Sequence, residues 1–349
     1  MKFGQKFKRE ISKFLVPFML YTTVQSTMPG QTQEQSSYKT TLEKIVGDEN
    51  VVRLYPKGKP CYVISDKHDG YKNYEKIEKK EDLINKVKNG EVYVVDLGDV
   101  VHPERISEHG QESKFLDREI ARKDTLEKLG KERYYTCLKG NHDYEAEKSY
   151  EKRKAVNGCN IGILNLFYRW LKKFGPGKAL ANAWHEIRFP SRGFTENQYA
   201  YLKSLPIAVI IDDSIVLTHG GYPSREQYSN RNKAIYDILW NRSGDAAEFL
   251  DDIGAKLLIN GHTAPNQAAW MYNLLLALQG RAKWDTRRRI ATIYNKNKNP
   301  TRVFIGPSKP ETWGSWRGMF GGGGGSYLKL DSEYNPDKWK PGKQIQYLD

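Results

Sequence analysis

Five apolar runs in this 349-residue chain lead into short polar fragments carrying Asp, Asn or His. The runs are Cys61–Ser65, Val92–Leu97, Tyr134–Leu138, Ile215–Thr218 and Leu257–Ile259, and each reads as a strand. The fragments are Ser65-Asp66-Lys67-His68-Asp69-Gly70, Gly98-Asp99, Gly140-Asn141-His142-Asp143, Thr218-His219-Gly220-Gly221 and Asn260-Gly261-His262. A sixth, Leu239-Trp240-Asn241-Arg242, lies between the last two. Ligand-type side chains at strand-to-loop junctions gather at the carboxyl edge of a sheet, where α/β proteins place their sites. A helical segment near Lys79–Lys88 joins the first two runs, a βαβ pattern that favours parallel neighbours.

Carboxylate, imidazole and amide-oxygen ligands suit borderline to hard divalent ions such as Mn²⁺, Fe and Zn²⁺. Six residues are the candidate metal ligands: Asp66, His68, Asp99, Asn141, His219 and His262. Asp99 has the bridging position, Asp66 and His68 belong to one ion, and Asn141, His219 and His262 to the other. A carboxylate shared by two ions holds them roughly 3.5–4 Å apart, a spacing that clamps a phosphate and activates water. His142 follows Asn141 directly and so points elsewhere, which suits a general acid for a leaving alkoxide. Arg242 offers a planar fork for phosphate oxygens. A structural histidine and a surface arginine are the bland readings of these positions taken singly.

Composition narrows the partners. Net charge is +14, with lysines spread along the chain rather than blocked. Such a surface is well solvated and attracts anionic partners such as phosphorylated protein or nucleotide. No nucleic-acid-binding signature accompanies it, so nucleic acid is not an expected partner. Mean hydropathy is −0.72 and no apolar run approaches the ~18 residues of a spanning helix. Three isolated cysteines, Cys61, Cys137 and Cys159, exclude a disulfide framework; the first two sit inside strand-like runs and read as packed thiols.

Residues 1–45 read as a leader and linker, and residues 46–349 as one catalytic domain with an insertion at about 145–190. The basic residues Lys2 to Lys13 precede the apolar stretch Phe14–Val24, the layout of a secretory signal peptide, so a secreted or periplasmic location is slightly favoured over a cytoplasmic one. The other reading is a short amphipathic helix docked on the body. Glu112–Leu129 is a charged segment leading into the third strand. Ile161–Phe174 has helical periodicity ended by Gly175-Pro176-Gly177, and Thr195 reads as the N-cap of a short helix to Leu205. Ile207–Ile211 and Ser214–Thr218 form a hairpin around Asp212-Asp213, and Gln267–Leu278 reads as a helix stopped at Gly280. Thr301–Ile305 and Tyr327–Leu330 are late strands, separated by a flexible Gly321–Gly325 loop that lacks the Lys-Ser/Thr of a P-loop. Trp313 and Trp316 read as core aromatics, with capping of a cleft as the alternative.

Over about residues 60–331 the chain resembles the calcineurin-like metallophosphoesterases. Their motifs Asp-x-His, Gly-Asp, Gly-Asn-His-Glu/Asp, His-Gly-Gly and Gly-His match Asp66 with His68, Asp99, Asn141 with His142, His219 and His262. The segment Asp237–His262 looks like the phosphoprotein-phosphatase branch, including its bacterial and phage-lambda members. The resemblance implies a four-layer α/β/β/α sandwich of two mixed sheets and a two-metal centre, Mn²⁺ first among the expected ions. It also implies phosphoric monoester hydrolysis, with a phosphorylated Ser/Thr or Tyr protein as substrate.

One motif departs from the pattern. The branch carries Gly-Asp-x-x-Asp-Arg-Gly, whereas this chain reads Gly98-Asp99-Val100-Val101-His102-Pro103-Glu104-Arg105. Glu104 and Arg105 are the candidates to replace the missing Asp and Arg, and Arg105 joins His142 and Arg242 as a candidate catalytic residue. A small phosphoester or dinucleoside polyphosphate therefore stays open as substrate, as does an inactive scaffold of the same fold.

Overall fold

The computed structural model describes residues 41–64, 71–101, 111–156, 162–188, 194–263, 268, 272–285, 290–305, 326–330 and 345–347. In chain order the strands are β1 (Val51–Leu54), β2 (Cys61–Ile64), β3 (Tyr93–Asp96), β4 (Tyr135–Cys137), β5 (Ala208–Ile211), β6 (Ile215–Thr218), β7 (Leu257–Asn260), β8 (Ala282–Asp285), β9 (Ile290–Tyr294), β10 (Pro300–Ile305), β11 (Ser326–Leu330) and β12 (Ile345–Tyr347). The helices are α1 (Leu42–Val46), α2 (Tyr71–Glu81), α3 (Leu83–Asn89), α4 (Gln111–Lys128), α5 (Asn141–Lys154), α6 (Ile163–Phe174), α7 (Pro176–Arg188), α8 (Glu196–Ser204), α9 (Arg231–Trp240), α10 (Ala247–Ile253) and α11 (Leu274–Leu278).

The strands form two mixed sheets, ordered β1-β5-β6-β7-β10-β9-β8 and β12-β11-β2-β3-β4. Strand alternation explains how they pack, since successive side chains leave a strand on opposite faces. In the seven-stranded sheet Val209, Ile211, Ile215, Leu217, Leu257, Ile259, Val303 and Ile305 share one core with the buried residues of β2, β3 and β11. The intervening Ala208, Ile210, Val216 and Leu258 pack instead with Ala234 and Ile238 of α9, Phe249 and Leu250 of α10, and Leu42, Ile45 and Val46 of α1. The five-stranded sheet is covered on its far side by α4, α5 and α8 through Leu116, Cys137, Ala146, Tyr150, Tyr201 and Leu202. Two facing mixed sheets with helices outside are the calcineurin-like sandwich that the resemblance implied.

Several local expectations need correcting. Lys79–Lys88 is not one helix: Asp82, at φ 51°, separates α2 from α3. Gly175 does end α6, at φ 81°, but the chain does not continue as a loop. Pro176 opens α7, because its fixed φ suits a first helical position and its missing N–H leaves no donor unpaired there. Helix α5 was not foreseen, since its charged sequence has little periodic apolarity; β1, β8, β9 and β12 were also not foreseen. The hairpin β5–β6 is antiparallel as expected, and Thr195 caps α8, its side chain accepting from the Gln198 N–H while Gln198 accepts from the Thr195 N–H. Of Gln267–Leu278, the described residues Ala268 and Leu274–Leu278 are helical, and Tyr272 and Asn273 are not. Cys61 and Cys137 are buried free thiols, and burial pushes the Cys61 thiol up to about 12. Cys159, Trp313, Trp316 and Gly321–Gly325 lie outside the described residues.

Candidate metal centre

Parallel pairing brings the ends of the motif strands level. Strands β2, β3 and β4 run parallel, with Ile64 opposite Asp96 and Asp96 opposite Cys137. In the other sheet β6 and β7 run parallel, with Thr218 opposite Asn260. The residues just past these ends are Leu97–Asp99, Leu138–Asn141, His219 and Gly261–His262. The two sheets meet there, where His219 Nδ1 lies 2.8 Å from the Leu97 carbonyl oxygen.

Two glycines let the β3 and β4 turns touch. A Cβ on Gly98, at φ 98°, would stand 2.6 Å from Gly140 N. A Cβ on Gly140 would stand 2.0 Å from Asp99 Oδ1, in the place that carboxylate occupies. Asp99 and His262 are themselves left-handed, at φ 55° and 58°. Each such residue costs on the order of 1–3 kcal/mol, and such strain gathers at functional sites. Asp99 Oδ1 accepts the His142 backbone N–H at 3.0 Å, at the start of α5, where the helix dipole favours an anion. Asp143 locks the same junction. Its carboxylate accepts the N–H groups of Gly140, Val100 and Val101, so one side chain ties the β3 turn to the β4 turn. Burial, and then the nearby Asp99, push the Asp143 carboxyl up to about 6.

Four buried or half-buried side chains converge at this edge. His219 Nε2 lies 3.2 Å from Asp99 Oδ2, 2.9 Å from Asn141 Oδ1 and 3.1 Å from His262 Nδ1. Since His219 Nδ1 faces a carbonyl, that nitrogen carries the proton and Nε2 presents a lone pair. The His262 imidazole is held well below its ordinary pKa by burial, His219 and Arg242, so it is neutral at physiological pH. Asp99, His219 and His262 each offer one ligand atom, all within 4.8 Å of one another. A carboxylate, an amide oxygen and two imidazoles round one buried point make a donor set that suits a borderline divalent cation, with the His262 ring proton moved from Nδ1 to Nε2 on binding. The donors present therefore fit such an ion.

Two further predicted residues border this cluster. His142 is partly exposed, with Nε2 4.0 Å from Asp99 Oδ2. Arg242 leaves the end of α9, donating Nε–H to His262 Nε2 at 2.9 Å and Nη1–H to the Tyr272 hydroxyl at 3.0 Å. Asp66, His68 and Arg105 lie outside the described residues. The structure thus brings together Asp99, Asn141, His142, His219, Arg242 and His262 out of the nine residues read from sequence.

Sequence reasoning missed Arg302. This fully buried guanidinium donates to Asn260 Oδ1 at 2.6 Å and to the carbonyls of Ser243 at 2.6 Å, Gly220 at 2.7 Å and Asn241 at 2.7 Å. One side chain on β10 thereby ties together the loops bearing His219, Arg242 and His262. Burial pushes its pKa down to about 10, still charged at neutral pH. The only sequence signal was a lone Arg inside the apolar run Thr301–Ile305. Arg302→Met leaves four buried acceptors without their donor, at about 1–3 kcal/mol each before relaxation. We expect unfolding free energy to fall by about 3 kcal/mol or more. Metal affinity should weaken roughly 10–100-fold, as for other lost ligand-orienting contacts. Thermal unfolding and chelator competition check this; unchanged values in both refute the clamp.

The family model described as calcineurin-like phosphoesterase matches residues 59–266, more than half of the chain. No curated protein matches the sequence. Among solved structures, a serine/threonine phosphatase from Saccharomyces cerevisiae with similarity to human phosphatase PP5 is similar, at 12% identity and TM-score 0.44, over 86% of this chain and 84% of that one. A candidate diadenosine tetraphosphatase is similar at 14% identity and TM-score 0.36, over 86% of this chain and 97% of that one.

Proposed function

This chain belongs to the calcineurin-like phosphoesterase family of metal-dependent hydrolases, and we propose that its reaction is phosphoric monoester hydrolysis on a phosphorylated protein. The convergence of Asp99, Asn141, His219 and His262 carries this reading. Asp66 and His68, which follow β2 in the sequence, would supply ligands for a second ion. Two divalent ions bound by these residues, Mn²⁺ foremost, would supply Lewis acidity and activation of water at neutral pH.

The chain's own groups do the rest. His142 gives a proton to the leaving oxygen. Arg242 binds the phosphoryl oxygens through charge-assisted hydrogen bonds. Its Nε–H now serves His262 Nε2. If His262 Nδ1 is a ligand, Nε2 must carry the ring proton and can no longer accept that bond. Ligation at Nδ1 therefore frees the guanidinium for substrate. The segment Asp237–His262 supports membership of the phosphoprotein-phosphatase branch.

Purified protein should hydrolyse p-nitrophenyl phosphate only with divalent metal, Mn²⁺ activating best. Full activity in exhaustively chelated, metal-free protein would sink the proposal. Phosphopeptides should then outrun diadenosine tetraphosphate in kcat/KM. The reverse order would select the small-phosphoester reading, which the His102-Pro103 departure keeps in play. A metal-loaded protein that hydrolyses none of these would be a scaffold.

A further inference from the structure

Helices α6 and α7 share a small core of their own. Leu166, Trp170 and Ala179 are buried in it. The apolar arc of α6 is wider than that core needs. Leu164, Tyr168 and Leu171, spaced by four and three residues, form a second stripe and are exposed. On α7, Leu180 and Trp184 make a similar stripe, four residues apart. Leu164 is 82% exposed, Leu180 66% and Trp184 68%, values that no residue packed in a groove would show.

The single residue Gly175 links the helices, so the chain turns back at once. At 3.6 residues per turn the exposed stripe lies roughly 145° round the helix from Leu166 and Trp170 on α6, and roughly 100° from Ala179 and Ala183 on α7, in the same rotational sense. For two right-handed helices packed side by side in opposite directions, such stripes emerge on the same side. The result is one apolar face standing proud of the hairpin.

Its surroundings are cationic. Residues 163–188 contain five Lys or Arg and one Glu. Lys172 borders the stripe, its Nζ 4.7 Å over the Tyr168 ring, and Lys178 is exposed beside Ala179. We propose that this face docks on an anionic lipid surface. The leucines would enter the headgroup–acyl boundary, Tyr168 and Trp184 would span it, and Lys172 and Lys178 would meet anionic headgroups.

Charge selects this occupant. A second copy would bring like charges together. A raised ridge of leucines suits a fluid surface better than a preformed protein groove. Among the described residues no helix is long and apolar enough to cross a membrane, so the hairpin would lie on the surface.

The test is sedimentation of the full chain with phosphatidylcholine vesicles, with and without phosphatidylglycerol. Wild type should bind only the anionic vesicles, and less as salt rises. Leu164→Ser with Trp184→Ser should lower the bound-to-free ratio roughly tenfold or more. Lys172→Gln with Lys178→Gln should lower it roughly fivefold per lysine. Neither pair touches the metal centre, so p-nitrophenyl phosphate hydrolysis reports the fold of both and separates this proposal from the catalytic one. If the serine pair misfolds, the glutamine pair decides. Equal binding to neutral and anionic vesicles overturns the proposal. So does wild-type binding by correctly folded variants, which would make another part of the chain the anchor. A wild-type dimer that the serine pair dissociates, seen by sedimentation velocity, would make the face a contact between copies and overturn it too.

Discussion

Asp99→Asn is expected to abolish turnover while leaving the fold intact. The two side chains have the same shape, and Asn tolerates the left-handed backbone at φ 55° as well as Asp does. The amide oxygen can still accept the His142 N–H. What disappears is the negative charge. Asn141, His219 and His262 would then face the cation as neutral ligands, and no anion would span two ions. We expect at least one metal equivalent to be lost and kcat/KM to fall beyond the roughly 10⁴-fold limit of a lost general acid. Stability separates this from misfolding. Asp99 and Asp143 are buried close together, and Asp99 helps to push the Asp143 carboxyl up. Removing one of two like charges relieves that repulsion, so the metal-free variant should melt no lower than metal-free wild type. Its Tm should rise less with added Mn²⁺, because stabilisation tracks binding to the native state. A variant with wild-type metal content, or one that unfolds early without metal, contradicts the assignment.

The fold and the site were legible in the sequence to different depths. Strand ends were legible because each metal-type residue interrupts an apolar run, and burial on both faces makes such runs continuous. Hence β2, β3, β4, β6 and β7 fall within two residues of expectation. Strand β8 was not, since Ala282-Lys283-Trp284-Asp285 is half exposed at a sheet edge and has no continuous apolar signal. Helix α5 was hidden for a related reason. Its buried face includes Asn141, Asp143, Glu147, Ser149 and Arg153, polar residues satisfied by specific partners rather than by periodic apolarity. Lys139, for example, meets Glu147 at 2.7 Å. Arg302 shows the same limit at the site. A buried cation held by three carbonyls and an amide has no sequence signature, because its partners come from three loops distant in the chain. Motifs reveal groups that recur in a fixed order; they do not reveal what holds those groups still.

His142→Ala separates proton transfer from metal binding. The substitution keeps the backbone N–H that holds Asp99, and Ala is the best helix former at this second residue of α5. The imidazole Nε2 is 4.0 Å from Asp99 Oδ2, beyond hydrogen-bond range, so its loss leaves the converging ligands in place. Metal content should therefore equal wild type. The rate should fall by roughly 10²–10⁴ on a phosphoserine peptide, the usual span for a lost general acid. The size of that fall should depend on the leaving group. An alkoxide leaving from serine is strongly basic and needs a proton in the transition state. The p-nitrophenolate ion is a weak base and leaves largely without help. The variant should thus lose far more activity on the phosphopeptide than on p-nitrophenyl phosphate, with metal stoichiometry constant throughout. Equal losses on both substrates would mean that His142 binds phosphate rather than protonates the leaving group, and an emptied metal site would make it a ligand.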